Sequence, residues 1–136
     1  MSFGRSAAIG VFGLMVLAAI SHNNEPSAPE VPSCKSDWTL CTDNSDMANN
    51  WHGWTHVQAA CEIAAEKSAK YGTPEWPWLA FSSFLKGDDY PKTGIVKAME
   101  DEAKFKNMFN ASVKSKVICT YNINTETVTD IQVRGL

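Results

Sequence analysis

Apolar positions along the chain recur first as a block, then with helical spacing and then in alternation, and each period predicts a different element. Ala7 to Ile20 is an unbroken apolar run of fourteen residues, with one basic residue, Arg5, ahead of it. Such a run falls short of the roughly 20 residues a membrane-crossing helix needs and matches the core of an export signal. Residues 1–21 are therefore expected to be a signal peptide, with Ala19-Ile20-Ser21 offering a cut ahead of His22. The alternative is an uncleaved anchor whose flanking residues stretch the run across a bilayer. Residues 22–33 contain Pro26, Pro29, Pro32 and two glutamates but no aromatic residue, the composition of a flexible Pro-rich linker. A single folded domain is expected over residues 34–136.

Within that domain, Thr55-His56-Val57-Gln58 has the Thr-x-x-Gln form of a capping box, so a helix is expected to start at Thr55. Val57, Ala60, Cys61, Ala64, Ala65, Ser68 and Tyr71 then share one side, while Glu62, Glu66 and Lys70 fall on the other. Gly72 and Pro74 punctuate its end. The inner stripe is made of small residues, which lets a sheet come close, and Cys61 lies near its centre. Downstream the period changes to two. Leu79 to Leu85 and Ile95 to Met99 are candidate strands, separated by the turn region Gly87-Asp88-Asp89-Tyr90-Pro91. The strongest alternation places Val113, Ser115, Val117, Cys119, Tyr121 and Ile123 on one face; Lys114, Lys116, Thr120 and Asn122 face the other way, where Ile118 is the apolar exception. A turn at Asn124-Thr125-Glu126 returns the chain through Thr127 to Arg134 as an antiparallel partner, and the phase break between Val128 and Ile131 predicts either a bulge or a later start of the register. One main helix followed by several strands gives an α+β fold, the helix packed on a small antiparallel β-sheet.

Composition narrows the function classes. The chain has 136 residues, 44% hydrophobic and 20% charged, which suits one modest globular domain and argues against a disordered tail, a collagen or a solenoid. Twelve basic residues against 15 acidic ones give a net charge of −3, and the basic residues are scattered, so no nucleic acid partner is expected. Loss of residues 1–21 would remove Arg5 and no acid, leaving −4.

The four cysteines, Cys34, Cys41, Cys61 and Cys119, all follow the export signal, and an even number in an exported chain points to two disulfides. Three connectivities are open. The favoured one joins Cys34 to Cys41 across a small loop and Cys61 to Cys119 between helix and strand, since those two fall on facing surfaces. A zinc site is disfavoured because no Cys-x-x-Cys pair is present.

Cys61 on its helix, the stretch Thr73-Pro74-Glu75-Trp76-Pro77-Trp78-Leu79-Ala80-Phe81, and Ala103 to Ala111 leading into Val117-Ile118-Cys119-Thr120-Tyr121 resemble a group of small exported bacterial and phage-associated domains. The resemblance spans roughly Trp38 to Val133. It implies a helix on an antiparallel sheet with a helix–strand cysteine pair in an exported protein, and it carries over no catalytic residue. Where that group carries glycines after the asparagine, this chain has Asn107-Met108-Phe109-Asn110.

Several constellations could carry chemistry. His52 and His56 stand four apart, the spacing that aligns two imidazoles on a helix, with Glu62, Asp43 or Asp46 as a further ligand. A helix starting at Thr55 would leave His52 outside it, so these residues are weak metal candidates. Asp43-Asn44-Ser45-Asp46 lacks the glycine and distal glutamate of a calcium loop. Glu100-Asp101-Glu102 reads as a solvated turn, and Asn110-Ala111-Ser112 is a glycosylation sequon. The tryptophans are concentrated upstream, and Trp51, Trp54, Trp76 and Trp78 form the candidate binding surface. The expected function is an exported, disulfide-bonded, non-catalytic interaction or inhibitory domain, periplasmic or secreted. Its expected partner is a protein or glycan of the cell envelope, and no cofactor is expected. The alternatives are a small metal-dependent hydrolase centred on His52 and His56, and an envelope accessory protein anchored to the inner membrane, which meets the membrane only if the first segment stays uncleaved.

Overall fold

The computed structural model describes residues 29–85 and 93–135. The expected signal peptide, most of the linker and the turn region at Gly87 to Pro91 lie outside the described residues. From Val31 onward the chain forms one compact unit. A 3-10 turn at Trp38–Leu40 leads to helix α1 (Asn44–Asn50) and the longer α2 (Trp54–Ser68). Strands β1 (Ser83–Phe84), β2 (Ile95–Glu100), β3 (Lys104–Lys106), β4 (Ser112–Lys114), β5 (Lys116–Asn122) and β6 (Thr127–Arg134) follow. The fold is α+β, with all described strand pairs antiparallel: a four-stranded sheet in the order β1-β2-β5-β6 and a β3-β4 hairpin.

The favoured connectivity is the one present. Cys34 bonds Cys41, and Cys61 in α2 bonds Cys119 in β5, both of the latter fully buried. Helix α2 turns Trp54, Val57, Cys61 and Ala65 inward, against Val96 and Ala98 of β2 and Val117, Cys119 and Tyr121 of β5. Cys61 meets Cys119 while His56, further up the helix, meets Tyr121, so α2 runs opposite to β5 and alongside β6.

The helix does not start as expected. It begins at Trp54, after Gly53, with no side-chain cap. The Thr55 hydroxyl donates instead to the His52 carbonyl (3.3 Å), and Gln58 reaches out to the Ala80 carbonyl (2.9 Å). Close packing sets the entry: a Cβ at Gly53 would lie 2.2 Å from the Trp51 ring, so only glycine lets the indole fold back there. Upstream, the Asp43-to-Asp46 stretch forms the start of α1. The Asp43 carboxylate accepts from the Asp46 N–H (2.8 Å), and Asp46 accepts from the Thr42 N–H (2.9 Å) and from Asn50 (2.7 Å). Those bonds, the Thr42 amide foremost, hold the Asp46 carboxyl below its ordinary value.

The strand expectations divide. Leu79 to Leu85 is mostly a turn: Phe81 takes φ 53°, in the left-handed region, and only Ser83 and Phe84 pair. The buried Glu100 carboxylate fixes that turn by accepting from the Phe81 N–H (3.0 Å), while a second oxygen accepts from the Glu102 N–H (2.6 Å). Glu100 therefore departs from the solvated turn expected of the three acids. The long alternation from Val113 to Ile123 is divided at Ser115, whose N–H donates to the Ala103 carbonyl (2.8 Å), and its halves belong to different sheets. Its facing pattern holds, since Val117, Cys119, Tyr121 and Ile123 are buried. The expected bulge is present in β6: Thr120 pairs with Asp130 and Tyr121 with Val128, leaving Thr129 extra.

Cys61–Cys119 closes a separation of 58 residues, Cys34–Cys41 one of seven. On the loop-closure model, replacing the first pair by alanine lowers stability by about 4 kcal/mol and replacing the second by about 2 kcal/mol, read from denaturant midpoints. Equal losses would contradict the assignment of α2 packing to the longer bridge.

Candidate functional site

The four tryptophans do not form one surface. Trp54 is 5% exposed and belongs to the core, and Trp51 is half-buried against it. Trp76 is also half-buried, its ring 5.6 Å from that of Phe81 and 5.8 Å from that of Phe105, with its indole N–H donating to Glu66 (3.1 Å). Only Trp78 stands in solvent, fully exposed beside the exposed Leu79. The physical reason is volume: an alanine-lined helix leaves gaps around its rim, and large rings fill them.

The metal candidates are likewise not assembled. His52 sits in the turn before α2, and His56 and Glu62 are six residues apart on it, a helical offset that separates them by about a third of a turn. His56 Nδ1 shares a hydrogen bond with the Tyr121 hydroxyl (3.1 Å). Among the described residues, the only trio of His, Cys, Asp or Glu ligand atoms close together is Cys34, Cys41 and Asp46, and two of its members are spent in a disulfide.

A different feature emerges where α2 stops. The Ser68 hydroxyl turns back to the Ala65 carbonyl (2.8 Å), and Gly72, at φ 61°, swings the chain away close to Lys106. Between this helix end, the inner face of β6 and the β3-β4 hairpin lies an open cleft of about 580 Å³. Phe105 lies at its base, 1% exposed, with the half-buried Ile131 and Val133 of β6 beside it. Tyr71, Met108 and Phe109 stand around it at 46%, 69% and 80% exposure.

The hairpin turn holds two of those side chains in water by a local bond network. The Asn107 carboxamide oxygen accepts from the N–H groups of Phe109 (2.9 Å) and Ala111 (3.1 Å). Asn110 then takes φ 61°, filling with asparagine a left-handed position that glycine would also suit. Lys70 and Lys106 are the charged groups of the lining, which contains no carboxylate. Lys106 donates to the Ser112 hydroxyl (2.8 Å) and stands 3.8 Å from Glu75. Sequence reasoning passed over this site, although two adjacent large apolar residues in a turn, Met108-Phe109, were a usable signal.

Compared with protein-family models, curated proteins and solved structures, the chain gives no match. Among the described residues, no helix is long and apolar enough to cross a membrane.

Two outcomes follow from these placements. Trp54→Ala should cost about 3–5 kcal/mol of stability, and Trp78→Ala less than about 0.5 kcal/mol, measured by denaturant unfolding. Burial, with the negative charge of Glu126 adding to it, raises the Tyr121 phenol above its ordinary value of 10.0. A raised folded-state value means stability that is whole below pH 10 and declines as pH climbs toward that value. Tyr121→Phe should flatten this alkaline loss in unfolding curves recorded from neutral pH upward.

Proposed function

We propose that the chain is an exported, non-catalytic interaction domain that recognises a protein partner through the cleft framed by Tyr71, Met108 and Phe109. The observation that carries this reading is the exposure of three large apolar side chains around an apolar-based cleft, two of them, Met108 and Phe109, on a turn that its own hydrogen bonds hold in place. Exposed apolar groups gathered at a concavity suit a ligand that covers them. A protein segment fits the exposed Met108 and Phe109, which apolar side chains of a partner cover better than the hydroxyls of a sugar do. Two disulfides in a unit of this size support an oxidising compartment, periplasmic or extracellular. The four cysteines are paired and offer no nucleophile, which favours binding over catalysis.

The test is capture from cell-envelope extract with three baits: wild type, the double variant Met108→Asp with Phe109→Asp, and Trp78→Ala. Partners held by wild type and Trp78→Ala but lost by the double variant are the expected result. Retention by the double variant, or loss by Trp78→Ala alone, would move recognition away from the cleft.

A further inference from the structure

The last strand, β6, is an edge. It pairs with β5 on one side, and no described strand lies on its other side. Every second residue of such a strand directs an N–H and a C=O outward, and a long edge of this kind invites another strand. Beyond the bulge at Thr129, the run from Asp130 to Arg134 continues in regular register with β5. On one face of that run Asp130, Gln132 and Arg134 form a hydrogen-bonded row: Gln132 donates to Asp130 (2.8 Å), and Arg134 donates to Gln132 (2.9 Å). The other face carries Ile131 and Val133, both half-buried.

This run is complementary to itself. When a second copy is laid antiparallel about Gln132, Asp130 faces Arg134 of the other copy, Ile131 faces its Val133, and the two Gln132 amides meet on the axis. The neighbouring registers do not match: pairing about Asp130 or Arg134 sets like charges opposite one another, and pairing about Ile131 or Val133 sets a charge against an amide. A second observation concerns Arg134, which lies directly across from Lys116 in β5. Like charges opposite one another destabilise a sheet, and neither residue has a carboxylate partner among the described residues. The Asp130 of a second copy would supply that carboxylate.

We propose that two copies of this chain associate through β6, about a two-fold axis at Gln132, joining two four-stranded sheets into one of eight strands. The axis stands perpendicular to the sheet, so both α2 helices and both clefts lie on the same face. The charged row is on the face away from Ile131 and Val133, so reversing its charges leaves the lining of the cleft unaltered.

Sedimentation velocity of the exported chain from about 1 μM to 1 mM tests the association. Wild type is expected to pass from monomer to dimer within that range. Asp130→Arg and Arg134→Asp, each alone, create like-charge contacts at both symmetric positions and should weaken dimerisation on the order of tenfold. Combined, they restore opposite charges and should restore the dimer. Gln132→Cys should give a reducible covalent dimer, since residues directly opposite in an antiparallel pair have Cα atoms about 4.5–5.5 Å apart, within disulfide reach. These positions are exposed, and an unchanged circular dichroism spectrum confirms that each variant is folded. A wild type that stays monomeric throughout, or a double charge reversal that fails to recover the dimer lost by the single ones, would overturn the proposal. Neither result bears on capture through the cleft.

Discussion

The close approach of α2 to the sheet is the constraint from which most of the architecture follows. It rests on a helix face whose inward residues shrink along it, from Trp54 and Val57 at the start to Cys61 and Ala65, and on a covalent bond from that face to β5. A helix drawn in this far leaves little room above the sheet and open space around its ends. The large side chains then take up the perimeter: Met47 and Trp54 near its start, Phe81 and Phe105 elsewhere around it, Trp76 leaning on the last two. Tryptophan, in this molecule, is mainly the filler of a tight joint. That is a packing role.

The cleft is the reverse of the same arrangement. Helix α2 ends at Ser68, and the strand running alongside it carries Ile131 and Val133 past the point where helical cover ceases. Phe105 supplies a base, and the Asn107-locked turn brings Met108 and Phe109 to the opening. Exposing those side chains gains nothing for folding, and their position next to uncovered strand residues gives them a common surface with Tyr71.

Periodicity carried the sequence reading wherever one face of an element was buried. The alternation of Val117, Cys119, Tyr121 and Ile123, the inward face of α2 at Val57, Cys61 and Ala65, and the Cys61–Cys119 pairing follow that rule, whereas Ser68 and Tyr71, at the end of the expected stripe, are exposed because the helix stops at Ser68. Elements fixed by hydrogen bonds between distant residues were not legible. The left-handed turn at Phe81 depends on a carboxylate 19 residues away, at Glu100, and Gln58 left its expected capping partner for a carbonyl in another segment. Ser115 divides a continuous alternation because its amide is taken by Ala103, a contact no local pattern announces. For the site, tryptophan content misled, since residue type alone does not separate a ring that fills the rim of a helix from one that faces solvent. Asp43 and Asp46 carry oxygens that suit an ion, yet their three-residue spacing is that of a helix start.

The two disulfides join cysteines that are consecutive along the chain, Cys34 to Cys41 and then Cys61 to Cys119. For a polypeptide threaded N-terminus first into an oxidising space, that order matters. The first cysteine is joined to the second and the third to the fourth, so in that order of arrival the first pair can close before the third thiol emerges. Pairing by order of appearance gives the native connectivity, so assembly calls for an oxidant but for no reshuffling of wrongly joined sulfurs. The chain thereby encodes its own cross-linking sequence in the order of its residues.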